Sequence, residues 1–199
     1  MSFLSLGLTE AQPAIVGAGF WIRFLARALD TIYGFLFGYI AGFTGGVALA
    51  ILQAHALVTP GWHQRLVASP ASRIVLSLLG AILYHTFCEG LSGASLGKLM
   101  CGLRVLSDDL TPCRLRPALI RSLAYYVDGL VFGVVAYLSM DKTPMRQRHG
   151  DHWAHTVVVK NSQAPETSKP SDLRLLAALA AGSSAWVLSI FVGVVWAGY

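Results

Sequence analysis

Charged residues are scarce in this chain. Asp, Glu, Lys and Arg make up only 13% of its 199 residues, whereas soluble proteins carry roughly 25%. Hydrophobic residues account for 55%, and the mean hydropathy is +0.59. These values argue against an ordinary soluble domain. The composition therefore predicts an integral membrane protein.

Cysteine pairs and targeting signals are also lacking. The three cysteines, Cys88, Cys101 and Cys113, include no C-x-x-C pair, and each lies in or beside a loop that we assign to the cytoplasm. We therefore expect free thiols rather than disulfides. The first 18 residues contain neither a basic n-region nor a cleavage site of small residues, so no removable signal peptide is expected.

Signals for enzymatic or nucleic-acid chemistry are missing as well. No Ser/His/Asp or Cys/His arrangement stands out. The glycine-rich segment 93–98 is not a phosphate loop, because its glycine spacing is wrong and no strand precedes it. The net charge of +5 resides in loops beside apolar segments, where basic residues set topology and meet anionic lipid. We therefore expect no enzyme activity, no cofactor and no nucleic-acid partner.

One apolar run, residues 19–58, is longer than the about 20 residues that cross the hydrocarbon core of a bilayer. Arg23, Arg27 and Asp30 lie near its start, on one broad stripe of the predicted helix. The short carboxylate of Asp30 cannot reach the headgroups, so we expect it to be buried and balanced by nearby guanidinium groups. Small residues at every fourth position allow another helix to approach closely. The predicted helix-packing residues are Gly34, Gly38, Gly42 and Gly46.

Further apolar segments and two short alternating runs complete the predicted architecture. A third apolar segment, 118–140, is interrupted by Arg121 and by Asp128-Gly129. We expect an all-α membrane protein, a small helical bundle of three to four hydrophobic segments, with the third either bent or re-entrant or spanning once. Helices are predicted over 20–52, 74–88 and 173–196, and strands over 103–106 and 156–159.

The positions of the basic residues leave two topologies open. Segments 89–121 and 142–174 are both rich in Lys and Arg, which favours the cytoplasmic side. Both can lie inside if segment 118–140 bends back at Asp128-Gly129, provided that the broken backbone is buried in protein or faces water. If that segment spans once, one basic segment lies outside. Loop 53–73 has fewer basic residues and is assigned to the outside.

Arginines and aspartates form a nearly balanced set that allows two interpretations. Buried charges must be paired, so these residues are expected to tie the loops to the helix bundle as a polar clamp. Alternatively they line a cation or proton path, in which Asp30 and Asp128 are alternately free and paired, with Arg23 and Arg121 as counter-charges. Lys98 is expected either to pair inside the protein or to contact a lipid headgroup. The predicted charge-network or ion-path residues are Arg23, Asp30, Lys98, Arg104, Arg121, Asp128 and Asp151.

Histidines offer two smaller candidate sites. His85 and Glu89, four residues apart near the end of the second helix, are expected to face the bundle as a pair. We favour a satisfied pair over a proton relay. Three later histidines and an aspartate could hold a metal ion, but histidines beside a membrane are often merely interfacial, so no metal site is expected. That metal-site alternative comprises His149, Asp151, His152 and His155.

Several spaced motifs match a known family pattern. The segment GFWIRFLARALD is similar to G-F-W-x-R-x-x-A-x-x-x-D, and residues 93–105 to G-x-T-x-G-K-x-x-x-G-x-R-V, with Ser95 in place of threonine. Arg121 and Asp128 resemble the arginine and acid of the following segment. Residues 146–151 and 156–159 are similar to R-Q-x-x-x-D and T-x-V-V. Together these motifs, spread over 19–160, resemble the RDD family of small bacterial membrane proteins, named for an arginine and two aspartates.

The resemblance implies roles and a domain layout. Arg23 and Asp30 correspond to the family's arginine and first aspartate, and the second aspartate corresponds to Asp128 or Asp151. The resemblance implies a multi-pass protein of the bacterial inner (cytoplasmic) membrane, and some members are linked to transport, including cation/proton exchange. The predicted layout is an N-terminal leader over 1–18, an RDD-like membrane domain over 19–160, a linker over 161–172 and an additional C-terminal transmembrane helix over 173–199.

Two functions follow from these features. The chain is short for a lone carrier, has no internal repeat of the kind many transporters carry, and ends in an Ala/Gly-rich helix suited to packing. We therefore expect an accessory or packing subunit associated with a larger membrane complex. The alternative is a small cation/proton transporter or exchanger that uses Asp30 and Asp128. The expected partners are membrane lipids and either other membrane-protein subunits or a homo-oligomer.

Overall fold

The structure is a computed structural model that describes residues 15–57, 70–129 and 133–196. Most of the predicted leader and of loop 53–73 lies outside these residues. The described chain is largely helical, with two short strands. The helices are α1 (Phe20–Ala54), α2 (Pro70–Ser92), α3 (Leu96–Met100), α4 (Leu115–Asp128), α5 (Val134–Met140), α6 (His149–Trp153) and α7 (Asp172–Trp196), and the strands are β1 (Leu103–Ser107) and β2 (Thr156–Lys160).

Helix α1 has the surface of a membrane helix. It is 35 residues long, which corresponds to about 52 Å. Beyond its first turns it exposes large apolar side chains on several sides, including Phe35 (76% exposed), Ile40 (60%) and Leu52 (39%). A helix that is apolar all round meets lipid or other protein rather than water. Within the described residues, only α1 and the Ile74–Ser92 part of α2 have the length and hydropathy expected of membrane spans.

The last helix packs along α2. At Gly80 in α2 an added Cβ would lie 1.9 Å from Cδ1 of Trp186, and at Gly182 in α7 it would lie 2.7 Å from Sγ of Cys88. These two glycines therefore let the helices approach closely. Helix α7, predicted as an additional helix, is thus an integral part of the bundle.

The two predicted strands are confirmed and form an antiparallel pair. Leu103 pairs with Lys160 at one end and Ser107 with Thr156 at the other. The sheet docks at the base of α1, where the backbone N–H of Ala18 donates to the carbonyl of Val158 at 2.8 Å. The core beneath it consists of Ala18, Ala26, Leu103, Val105, Cys113, Ala118 and Val158.

Segment 118–140 is broken where the sequence predicts. Helix α4 ends at Asp128, and α5 begins after Gly133, whose φ of +85° favours glycine. With 14 residues, α4 is about 21 Å long, too short to cross a core of about 30 Å. Helix α5 contacts the base of α1, where the rings of Tyr137 and Phe20 lie 5.4 Å apart. The segment is therefore not one continuous helix.

The four predicted packing glycines of α1 differ in their surroundings. A Cβ at Gly34 would lie 2.2 Å from Cη2 of Trp186, so this glycine packs against α7. At Gly38, Gly42 and Gly46 a Cβ would meet nothing within 4 Å among the described residues. Close packing at these three positions remains a prediction, and the helix that packs there would belong to another chain.

Candidate functional site: a buried charge network

Asp30 is held by the segment that follows α2. Its side chain is buried, at 4% exposure. The Ser95 hydroxyl donates to Oδ2 at 2.6 Å, and the backbone N–H of Gly97 donates to Oδ1 at 2.8 Å. A Cβ at Gly97 would lie 2.0 Å from the carbonyl oxygen of Ala26. The glycine therefore lets α3 dock on α1, and the predicted burial of Asp30 is confirmed.

The prediction that nearby guanidinium groups balance the charge of Asp30 is wrong. Among the described residues no lysine or arginine forms an ion pair with it; the basic group in reach is Nδ1 of His85 at 4.0 Å, and the hydroxyl of Tyr84 lies at 3.4 Å. Arg23 lies about 10 Å further down the same helix, because seven residues separate the two positions. Arg27 lines the same cavity as Asp30 but does not pair with it, and its guanidinium stacks 3.8 Å from the centre of the Tyr125 ring.

Asp151 is the centre of the network. It is fully buried and contacts three arginines: Nη1 of Arg23 at 2.6 Å, Nε of Arg148 at 3.2 Å, and Nη1 of Arg121. Burial alone would raise the pKa of its carboxyl, but the positive charges of Arg121, Arg148 and Arg23 outweigh this and hold the pKa well below its usual value. Asp151 therefore remains ionised and ties α1, α4 and α6 together.

Glu89 forms a second junction. One oxygen accepts from Nζ of Lys98 at 2.6 Å, and the other from Nε of Arg121 at 3.1 Å. Nδ1 of His85 lies 3.5 Å from Glu89, so the predicted proximity of these two residues is confirmed. Because Arg121 contacts both Glu89 and Asp151, the two junctions form one connected network.

Asp128 belongs to the same network through a different partner than predicted. Its oxygens lie 3.6 Å from Nε of Arg148 and 3.5 Å from Nδ1 of His149, and the backbone N–H of Gly150 donates to Oδ2 at 3.2 Å. Arg121, the predicted counter-charge of Asp128, is engaged by Glu89 and Asp151 instead. The reason is non-local: α6 brings Arg148 and Asp151 to α4 from a distant part of the chain.

Arg104 lies apart from this network. Its Nε donates to Oδ1 of Asn161 and its Nη1 to the carbonyl of Ser92, both at 2.8 Å. These bonds join β1 to the end of α2 and to the segment after β2. Its role in the structure is to hold the sheet.

The metal-site alternative gains no support. In residues 15–57, 70–129 and 133–196, no group of three or more His, Cys, Asp or Glu side chains could hold a metal ion. His149 faces Asp128, while His155 lies 3.6 Å from Asp108 with 86% of its side chain exposed. His152 is also exposed, and Asp151 is surrounded by arginines.

Two cavities adjoin the network. The upper cavity, of about 420 Å³, lies among α1, α2 and α7, and Asp30, Tyr84 and His85 line it. The lower cavity, of about 320 Å³, lies at the base of α1 and is lined by most of the basic side chains of the network.

Some residues of the site were not predicted as site residues from the sequence. They are Tyr84, Ser95, Gly97, Ser122 and Arg148.

The fold and the site define a small helical membrane protein whose loops and sheet are tied to its helices by buried ion pairs. Comparison with protein-family models matches residues 17–199 to the RDD family, and the chain belongs to this family. The match extends past the 19–160 stretch that carries the motifs and includes α7. Comparison with curated proteins and with solved structures finds no match. Both candidates for the second family aspartate, Asp128 and Asp151, contact Arg148.

Proposed function

We propose that this protein is a non-transporting, non-enzymatic accessory subunit of a bacterial inner membrane, which packs through α1 beside the helices of a larger membrane complex. The observation that carries the proposal is the open face of α1. Beyond Gly34 its glycines meet nothing in the described part of the chain, although glycines at Gly80, Gly97 and Gly182 pack tightly. Small residues at every fourth position suit a close helix crossing in a bilayer.

The charge network fits this role as a clamp. Asp151 and Glu89 each contact at least two positively charged or histidine side chains. Removing one partner from a buried ion pair costs about 3–5 kcal/mol. Such a network favours one fixed arrangement of α1, α4 and α6 over alternating ones, which suits a scaffold.

The proposed topology has three spans. In it α1, α2 and α7 cross the bilayer, while α4 and α5 bend back at the cytoplasmic side with both basic segments, 89–121 and 142–174. Two observations support it: α4 is too short to span, and α5 contacts the base of α1 through Phe20. This arrangement agrees with the positive-inside tendency.

The test compares two substitutions that place the same leucine side chain on opposite sides of α1. Gly42→Leu places a side chain on the glycine face, whereas Thr44→Leu places one on the other side, about 200° away. We expect the tagged wild-type chain and Thr44→Leu to co-purify from native membranes with a partner at fixed stoichiometry, and Gly42→Leu to lose it. Equal recovery with both variants would contradict the proposal.

One observation favours the transport alternative. Asp30 lines the upper cavity with His85 and lacks a lysine or arginine partner among the described residues, which suits a carboxylate that binds a cation or proton. In sealed proteoliposomes, this alternative requires cation-dependent proton flux that Asp30→Asn abolishes while the protein stays folded. Our proposal instead predicts that the wild-type protein shows no cation-dependent proton flux.

A further inference from the structure

The lower cavity at the base of α1, termed the cationic cavity, is rich in positive charge. Its volume is about 320 Å³, within the usual range of ligand pockets. Two carboxylates, Glu89 and Asp128, also line it, and Asp151 lies behind the arginines. Five positive charges therefore face three negative ones. The positively charged lining residues are Arg23, Arg27, Lys98, Arg121 and Arg148.

Donor groups in this cavity are not used within the described structure. Arg121 is 1% exposed, yet its Nη2 has no hydrogen-bond partner among the described residues, and the same holds for the buried hydroxyl of Ser122. Arg27 stacks on Tyr125 and forms no ion pair with a described carboxylate. One carboxylate oxygen of the lining, Oδ1 of Asp128, also lacks a hydrogen-bond partner among the described residues. Buried donors without partners are costly, and positive charges outnumber negative ones around this cavity, so these groups indicate a site for an anion.

The position of the cavity indicates which anion. Phe20, Phe24 and Met140 give it an apolar side, and Phe24, 55% exposed, lies in the first turns of a helix that can cross a membrane. Guanidinium groups match phosphate oxygens in geometry and charge. A cavity of this size holds a headgroup, while acyl chains would lie outside it along α1.

We propose that the cationic cavity binds the phosphate of an anionic phospholipid headgroup, through Arg121, Arg27 and the Ser122 hydroxyl. The phosphate supplies the acceptors that these donors lack. The excess positive charge selects net-negative lipids over zwitterionic ones, as basic sites beside a membrane do. The site thereby fixes α1, α4 and the headgroup layer relative to one another.

The experiment uses the full chain, delipidated in neutral detergent. The apparent melting temperature and the bound lipid, measured by native mass spectrometry, are followed during titration with phosphatidylglycerol, phosphatidylcholine or inorganic phosphate. Arg27→Gln removes one donor outside the ion pairs, and Arg116→Gln removes the same charge from an exposed position. We expect phosphatidylglycerol to bind and stabilise selectively, with about tenfold weaker binding to Arg27→Gln and unchanged binding to Arg116→Gln.

A second variant keeps the test decisive if Arg27→Gln does not fold. Ser122→Leu fills part of the cavity without changing charge, and it should also weaken phosphatidylglycerol binding. Equal binding of phosphatidylglycerol and phosphatidylcholine, or equal losses in Arg27→Gln and Arg116→Gln, would overturn the proposal. Protection by inorganic phosphate as strong as that by phosphatidylglycerol would assign the cavity to a soluble phosphate and overturn the lipid assignment.

Discussion

Replacement of Asp151 by asparagine tests the clamp most sharply. Asn keeps the shape of the side chain but removes the charge that balances Arg23, Arg121 and Arg148. Breaking a buried ion pair costs about 3–5 kcal/mol, and each kcal/mol lowers the melting temperature of a chain of this size by about 2–4 °C. We therefore expect Asp151→Asn to lower the apparent melting temperature, followed by tryptophan fluorescence in detergent, by about 6–20 °C.

Two further variants control this measurement. Asp141→Asn changes the same group at an exposed position, and it should alter stability by less than about 0.5 kcal/mol. Adding Arg23→Gln to Asp151→Asn removes one uncompensated charge. The double variant should therefore lose less unfolding free energy than the sum of the losses in the two single variants. A melting temperature of Asp151→Asn equal to that of Asp141→Asn would refute the clamp.

Three other outcomes are expected. Gly97→Ala should lower the free energy of unfolding by about 1–3 kcal/mol, because the added Cβ would clash with the α1 backbone. Gly38→Ala, where an added Cβ meets no described atom, should be neutral or stabilising by up to about 1 kcal/mol in thermal unfolding. Equal effects of the two variants would contradict the α1–α3 contact. Because the folded-state pKa of Asp151 is depressed, the stability it contributes is complete above about pH 4 and is lost as the pH falls further; a melting profile that stays flat into acid would contradict this. A water-soluble maleimide should label partly exposed Cys101 before fully buried Cys88, as mass spectrometry of the labelled chain would show; faster labelling of Cys88 would contradict its burial.

Local signals in the sequence were sufficient for most of the fold. The hydropathy of α1 and α2, the alternation in β1 and β2, and the break at Asp128-Gly129 are properties of neighbouring residues. The burial of Asp30 followed from the cost of an unpaired carboxylate in an apolar helix. The proximity of His85 and Glu89 followed from helical spacing.

The partners of the charges could not be predicted in the same way. Arg121 lies 32 residues from Glu89 and 30 from Asp151, so their contacts depend on how α2, α4 and α6 pack. Charge balance alone suggested that Arg23 pairs with Asp30. The docking of α3 instead brings the Ser95 hydroxyl to Asp30, and Arg23 pairs with Asp151. The sequence could not show that a Cβ at Gly38 would meet no other atom in the described part of the chain, because the same spacing serves packing within or between chains.

Photo-crosslinking from α1 in intact native membranes tests the central claim most directly. A photoreactive phenylalanine analogue in place of Tyr39 lies beside the glycine face between Gly38 and Gly42, and the same group in place of Ile40 lies on the other side of the helix. Our account predicts a discrete protein adduct from position 39 and none from position 40. Lipid adducts alone at both positions would contradict it.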